Sequence, residues 1–274
     1  KLGLEHEDAI NVAAGIDFLK NVSLGTQELL TGQTLVIGGG NVAIDVARTA
    51  VRIGSTKTIM ACLESRDKMP ALKDEIHEAL EENIDILNSY GPLRLIEKDG
   101  KIIQVVLRKC ISTHDEQGRF NPTFDNQDLI TVNVDHVLIS VGQSMKWDKI
   151  LDGTKTELNP NQTIKVDSLT LQSTDPDIFA GGDAQTGPKF AIHAIASGKE
   201  AAISIHRFVQ RGQSLVFGRK RNLYTALDPE KVDFSGYDHA RRERTYTLEK
   251  AHDLSFNDPR GTLSEEQVKA ETKR

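Results

Sequence analysis

Residues 34–43 carry the sequence TLVIGGGNVA, in which a short apolar strand runs into a glycine turn and the turn opens a helix. Gly38 allows the tight turn, and Gly40 has no Cβ that would keep a pyrophosphate away from the backbone. Ala43 takes the third glycine position and lets the helix pack closely on the strand. The amides of the helix N-terminus then face the phosphates with the positive end of the helix dipole. This stretch therefore predicts a turn that cradles a pyrophosphate.

The sequence after the turn separates dinucleotide binding from a bare structural turn, which a glycine motif alone does not do. A second strand over residues 58–63 ends at Glu64. Glu64 stands about 20 residues beyond the glycines, where an acidic residue reaches the ribose hydroxyls of a dinucleotide. Between the two strands a helix is indicated by apolar residues at helical spacing, namely Val42, Val46, Ala47, Ala50 and Val51. Strand, turn, helix, strand and acid in this order favour dinucleotide binding.

The candidate dinucleotide site combines the glycine turn, the first amides of the helix and the acidic end of the second strand. Its predicted members are Gly38, Gly39, Gly40, Asn41, Val42, Glu64, Ser65 and Arg66. The carboxylate of Glu64 would accept bonds from the 2′- and 3′-hydroxyls of the adenosine ribose and repel a 2′-phosphate, so we expect a preference for NAD(H). Arg66 is placed to stack on adenine. NADP(H) stays open, because Arg66, Lys68 and Lys73 would neutralise a phosphate.

The rest of the first half predicts an α/β fold. A helix is expected over residues 8–20, and a helix over 71–82 followed by a strand over 84–87 completes a βαβαβ unit with a parallel sheet. Three strands without helices between them follow at 93–97, 102–111 and 129–134, with a long polar loop over 113–128 before the third. A continuous apolar strand over 136–142 returns to the sheet. We predict a Rossmann-like parallel sheet with an antiparallel β-meander before its last strand.

A second unit is expected to begin near Leu151. It contains short strands over 163–166 and 174–183, the second ending in a glycine-rich corner, and a helix over 189–209. Apolar residues become sparse beyond residue 212, which predicts an extended linker and docking arm. Leu263 to Val268 form a capping box that starts a terminal helix. The predicted division is 1–30 as a leading connector, 31–150 as a nicotinamide dinucleotide domain, 151–212 as part of a second domain, and 213–274 as the tail.

Composition restricts the class of protein and of partner. The chain has 274 residues, and its net charge of −6 argues against a surface for nucleic acid or an anionic membrane. No apolar run approaches the ~20 residues that span a bilayer. Cys62 and Cys110 are far apart in sequence and show no zinc spacing, so we expect a reducing, cytoplasmic setting. The histidines show no ligand spacing, so no metal site is predicted.

Three motifs in order resemble the two-dinucleotide-binding flavoprotein oxidoreductases. They are Gly38-Gly39-Gly40 with Glu64, then Ile139-Ser140-Val141-Gly142-Gln143, then Ile178-Phe179-Ala180-Gly181-Gly182-Asp183. More narrowly, residues 66–71 (RDKMPA) and 41–50 (NVAIDVARTA) are similar to the glutamate synthase small (beta) subunit family, and the match covers nearly the whole chain. The resemblance implies a nicotinamide domain inserted into an FAD domain, whose C-terminal portion begins near Leu151.

The resemblance also implies roles for two further pairs of residues. Gly182 and Asp183 match the corner that contacts the ribityl-phosphate region of the flavin, and the helix that follows lies under the isoalloxazine. Gly142 and Gln143 end a parallel strand, where the crevice of such a sheet lies. In such enzymes the nicotinamide passes a hydride to flavin N5 and the protein supplies binding and orientation, so no catalytic side chain is predicted.

One part of the family pattern is missing from this sequence. No second glycine fingerprint precedes Gly38, so the chain is expected to be a piece of a longer protein that holds FAD weakly or not at all. Family members commonly continue beyond the terminal helix into a cysteine motif for an iron–sulfur cluster, which implies such a segment or a redox partner subunit. The alternative is a non-catalytic dinucleotide-sensing or scaffold module of a larger complex.

Overall fold

The computed structural model describes residues 2–142, 145–219, 227–233, 235–236, 240–245, 255–257 and 261–273. The chain forms two compact units, one of Lys1–Val141 with Tyr237–Arg274 and one of Gly142–Gly236. The predicted Gln143 of the crevice lies outside the described residues.

Two sheets make up most of the first unit. Five strands form a parallel sheet in the order β1-β8-β2-β3-β4, and three form an antiparallel meander in the order β5-β6-β7. The strands are β1 (Val12–Ala14), β2 (Gln33–Ile37), β3 (Lys57–Cys62), β4 (Asp85–Asn88), β5 (Tyr90–Lys98), β6 (Lys101–His114), β7 (Phe120–Asn133) and β8 (His136–Ile139). The predicted α/β class, with a parallel sheet and a meander before its last strand, is confirmed.

The parallel sheet is buried on both faces, as its nearly continuous apolar strands require. Helices α1 (Gly15–Ser23), α2 (Asn41–Arg52) and α3 (Lys73–Glu81) cover one face, and the meander covers the other. Successive side chains of a strand point to opposite faces, so Val36 packs among the helices while Leu35 and Ile37 pack against the meander. Packing in these two cores fixes the position of β2 and hence that of the glycine turn that follows it.

Two predictions in the first unit are wrong in part. Residues 12–14 form β1 rather than a turn of a helix over 8–20, because their backbone pairs with β8 from Val137 to Ile139. The polar segment over 113–128 is mostly strand, since β6 and β7 are long partners joined by a tight turn near Gly118. Both are edge or surface strands, whose polar or short sequences carry little periodic signal.

The second unit contains α4 (Asp183–Thr186) and α5 (Ala191–Val209). The strands predicted over 163–166 and 174–183 are reduced to isolated bridges, namely Leu158 with Ile164, Val166 with Ser173 and Gln172 with Phe179. Loop hydrogen bonds take the place of a ladder there, for example from the amide of Ile164 to the carbonyl of Ala184 (2.8 Å).

The terminal helix predicted from its capping box is confirmed as α6 (Glu265–Glu271). The hydroxyl of Ser264 accepts from the amide of Gln267, and the side chain of Gln267 accepts from the amide of Ser264. Gln267 also donates to the carboxylate of Glu243 (3.0 Å), which links α6 to the preceding tail. Within the described part of the chain, no helix combines the length and apolarity that crossing a membrane requires.

Candidate functional site

The glycine turn lies at the carboxyl edge of the parallel sheet, where the strand order reverses. β2 has β3 on one side and β8 on the other, so chain connections leave in opposite directions from this point. In open α/β sheets such a switch point leaves a crevice at the strand ends. The amide of Ser140 donates to the carbonyl of Ile37 (2.7 Å), so β2 and β8 end side by side below the turn.

Gly38 makes the turn possible for two independent reasons. Its φ of +146° lies in a region that L-residues rarely adopt, and a Cβ at this position would lie 2.5 Å from the backbone oxygen of Ser140. The same Cβ would lie 3.1 Å from the Cβ of Ala43 on the first turn of α2. The chain therefore needs glycine at 38 to bring the helix onto the end of the strand.

The N-terminus of α2 is open to a ligand. Gly40 is the N-cap residue, and no side chain caps the helix. Among the residues that the structure describes, the amides of Gly40, Asn41 and Val42 have no hydrogen-bond acceptor. A Cβ at Gly40 would meet nothing within 4 Å, so the space beside these amides is empty of protein. An uncapped helix start with free amides binds anions through its hydrogen bonds and its dipole.

Asn41 also has a role that the sequence analysis missed. Its side-chain oxygen accepts from the amide of Leu72 (2.8 Å), the residue before α3, and the carbonyl of Gly39 accepts from the amide of Ala71 (3.2 Å). The glycine turn is thus tied to the segment that follows Arg66. No sequence pattern signals such a contact, because it joins positions about 30 residues apart through a single side chain.

Glu64 lies against the glycine turn, as its predicted role requires. A Cβ at Gly39 would be 2.9 Å from Glu64 Oε2 and 2.8 Å from the Cβ of Cys62, so a side chain at 39 would clash with Cys62 and displace this carboxylate. Within the described residues the carboxylate of Glu64 makes no hydrogen bond. It is therefore a free acceptor beside a free set of amides, which is the arrangement that a ribose next to a pyrophosphate needs.

The half-buried Ser65 and the exposed Arg66 form the rim of the site. The carbonyl of Ser65 accepts from the amide of Lys68 (3.0 Å), which closes a single 3₁₀ turn over Arg66–Lys68. The hydroxyl of Ser65 lowers the pKa of the exposed Asp67 carboxyl. Arg66 is exposed, and no ion pair in the described part of the chain engages its guanidinium. A cation in this position is available for the adenine or for a phosphate.

The remaining predicted residues belong to the second unit. Gly142 is exposed with φ +61°. Gly182 has φ +59°, and its amide donates to the hydroxyl of Ser197 on α5 (2.7 Å). The carboxylate of Asp183 accepts from the amide of Lys189 (3.3 Å). The corner of Gly182 and Asp183 is therefore built onto α5, with one of its amides already in use.

The two units differ in how well they suit the cofactors that the sequence implies. The first unit offers free amides, an open approach at Gly40 and the free carboxylate of Glu64, which together fit a dinucleotide. In the second unit the first half of α5 is largely exposed, and a Cβ at Gly198 would meet nothing within 4 Å, so no protein atoms cover the helix at this position. The amide of Gly182 is not free, which leaves a flavin phosphate fewer donors at this corner.

Both cysteines are buried free thiols. Burial and the nearby carboxylate of Glu64 raise the pKa of Cys62 to about 11, and burial raises the pKa of Cys110. Both thiols are therefore held in the protonated form at neutral pH, and the thiolate is the reactive form. The described residues also contain no group of three or more histidine, cysteine or acidic side chains that could hold a metal.

We expect neither thiol to react with Ellman's reagent in the native protein near neutral pH. Unfolding in guanidinium should make both thiols react together, which provides the internal control. Rapid reaction of either thiol before unfolding would contradict this prediction and would reopen disulfide exchange as an activity of these residues.

Residues 3–198 match the family model described as pyridine nucleotide-disulphide oxidoreductase. The chain belongs to this family. The matched segment contains the glycine turn, Glu64 and the corner of Gly182 and Asp183, and the resemblance to this class of oxidoreductases inferred from the sequence is confirmed.

Curated relatives show the kinds of protein in which this segment occurs. The chain is 33% identical to the beta subunit of an NADP(+)-dependent formate dehydrogenase of Moorella thermoacetica over 72% of this chain and 28% of that protein. It is 29% identical to the NAD-dependent dihydropyrimidine dehydrogenase subunit PreT of Escherichia coli over 75% of this chain and 43% of that protein. It is 27% identical to the NADPH-Fe(3+) oxidoreductase subunit beta of Geobacter sulfurreducens over 78% of this chain and 35% of that protein. The chain thus spans less than half the length of these relatives.

Solved structures agree on the fold. FprA of Mycobacterium tuberculosis, in complex with NADPH, superposes with a TM-score of 0.60 at 14% identity, covering 76% of this chain and 61% of that one. Thioredoxin reductase of T. acidophilum gives a TM-score of 0.53 at 18% identity, covering 75% and 61%. At these identities the likeness concerns the fold alone.

Proposed function

We propose that this chain is the nicotinamide-dinucleotide module of a flavoprotein oxidoreductase, with electrons passing from NAD(P)H through FAD to a further acceptor. The observation that carries the proposal is the juxtaposition at the sheet edge of three free amides, an open Gly40 and the free carboxylate of Glu64. Bound NAD(P)H would supply a hydride to flavin N5. The residues of this chain bind and orient the dinucleotide, and none of them has to form a covalent bond.

We further propose that NAD(H) is preferred. Glu64 offers a free carboxylate to the ribose hydroxyls, and this charge opposes a 2′-phosphate. The relatives do not decide the matter, because the names of two specify NADP or NADPH and the name of one specifies NAD. The exposed Arg66 and Lys68 are the cations that could offset the repulsion.

The onward route of electrons is also part of the proposal. Several relatives are named as subunits of larger enzymes, which supports a redox partner subunit or an iron–sulfur segment as the acceptor. We place the protein in a reducing, cytoplasmic compartment, which the two free and buried thiols support. The predicted assignment of residues 31–150 to the nicotinamide domain and of 151–212 to part of the FAD domain remains part of this proposal.

Two measurements test the function. Calorimetric titration should give one binding site for NADH and weaker binding of NADPH, and absence of heat with both would contradict dinucleotide binding. Anaerobic stopped-flow mixing of NADH with the full-length protein carrying FAD should bleach the flavin absorbance. A loaded protein that binds NADH without bleaching would favour the sensing or scaffold alternative.

The purified chain itself should be colourless. Its sequence holds no second glycine fingerprint for the flavin pyrophosphate, and the amide of Gly182 is occupied by Ser197. After incubation with excess FAD, gel filtration should separate the flavin from the protein, as judged by the absorbance spectrum of the protein peak. Stoichiometric FAD that stays with the protein through the column would contradict this expectation.

A further inference from the structure

Asn88 ends β4 beside the segment that carries Glu64. In the parallel register of β3 and β4 it pairs with Cys62, the last residue of β3. Its side-chain amide donates to the carbonyl of Glu64 (3.2 Å) and contacts the Sγ of Cys62 (3.3 Å). Because Glu64 lies beyond the end of the ladder, this side chain supplies a bond that strand pairing no longer provides.

A second donor reaches the same carbonyl from the turn after β4. The amide of Ser89 donates to the carbonyl of Glu64 (3.0 Å), and the carbonyl of Ser89 accepts from the amide of Cys110 on β6 (2.8 Å). Ser89 has φ +60°, a left-handed conformation that is uncommon for a residue other than glycine. A strained residue is retained where the surrounding contacts over-determine it. Glu64 is thus anchored to both sheets through Asn88 and Ser89.

The carboxylate of Glu64 depends on this anchor. Its Oε2 lies so close to the glycine turn that a Cβ at Gly39 would be 2.9 Å away, so a small shift of its backbone moves the acceptor relative to the free amides of α2. To accept hydrogen bonds from both hydroxyls of one ribose, the carboxylate must be placed to within about 0.5 Å. Electrostatic repulsion of a 2′-phosphate needs no such placement, because it acts over a longer distance.

We propose that Asn88 is a positioning residue that sets the discrimination between a ribose 2′-hydroxyl and a 2′-phosphate by holding the backbone of Glu64. This inference rests on the proposed dinucleotide site. It assigns Asn88 no contact with the ligand. Loss of its amide should therefore weaken recognition of the hydroxyls while leaving the repulsion of the phosphate largely in place.

The test uses ADP-ribose and 2′-phospho-ADP-ribose, which carry the adenosine end without the nicotinamide. In calorimetric titrations Asn88→Ala should weaken the binding of ADP-ribose about fivefold, as expected when one hydrogen bond between the ribose and Glu64 is lost. The affinity for 2′-phospho-ADP-ribose should change less than about twofold. Asn88→Leu fills a similar volume without a donor or a charge, so it should keep the fold and show the same reduced preference.

Asn11→Ala is the matched control. Asn11 also bonds to backbone through its side chain, to the carbonyls of Ile102 and Asp135 (both 2.8 Å), but it lies before β1 at the opposite edge of the sheet. This variant should lower the melting temperature and keep the wild-type ratio of the two affinities. A wild-type ratio in Asn88→Ala or in Asn88→Leu overturns the inference alone. A wild-type chain that binds neither probe overturns the proposed function with it.

Discussion

Replacing Glu64 by alanine should turn a chain that prefers NADH into one that prefers NADPH. The variant loses an acceptor for the ribose hydroxyls, and a hydrogen bond to a charged group contributes about 1.5–3 kcal/mol, so NADH should bind at least about tenfold more weakly. NADPH should bind several-fold more tightly, because the opposing charge is gone while the exposed Arg66 and Lys68 remain. Calorimetric titration with both dinucleotides measures the two changes directly.

Glu116→Ala is the matched control for this charge change. Glu116 is an exposed glutamate between β6 and β7, far along the chain from the glycine turn, and its removal alters the net charge by the same amount. It should leave both affinities at their wild-type values. Tighter binding of NADPH by the unaltered chain, or an unchanged ratio in Glu64→Ala, would contradict the assignment of Glu64.

The parts of the fold that were predicted correctly are those whose information is local. The continuous apolar run of β2 and the stripe of small and apolar residues on α2 depend on neighbours within a few positions, so the glycine turn and its βαβ context follow from the sequence. β1 has three residues, too few to show a period of two, and pairing with β8 more than 100 positions later decides its state. The start of β7 is polar because it is exposed, and partnership with β6 makes it a strand.

In the candidate site, too, the residues that could be predicted are those whose information is local. The glycines and Glu64 could be predicted because their spacing is a property of the motif. The structure brings Glu64 against Gly39, which spacing alone could only suggest. Asn41 was predicted for its amide, whereas its side chain holds Leu72, and Asn88 was not predicted at all. Such contacts join a side chain to a distant backbone atom, and neither periodicity nor composition encodes them.

The first and third glycines of the turn should respond to alanine in opposite ways. At Gly38 a side chain has no allowed place, because φ is +146° and the Cβ would lie 2.5 Å from the backbone oxygen of Ser140. If the backbone of Ser140 moved away, its amide would lose the hydrogen bond to the carbonyl of Ile37, so β8 would have to shift. Gly38→Ala should therefore lower the free energy of unfolding by about 2 kcal/mol or more, measured by denaturant titration. This variant reports on the fold.

Gly40→Ala should instead keep the fold and lose the ligand. Its φ of −91° suits any residue, and its Cβ would meet no protein atom within 4 Å, so the cost in stability is the weak N-cap preference of alanine, about 1 kcal/mol or less. The new methyl group would stand where the pyrophosphate approaches the free amides of Asn41 and Val42. NADH and NADPH share that pyrophosphate, so both should bind about tenfold more weakly or worse, with their ratio unchanged, in contrast to Glu64→Ala. Wild-type affinity in a folded Gly40→Ala chain would mean that the dinucleotide does not lie on the N-terminus of α2.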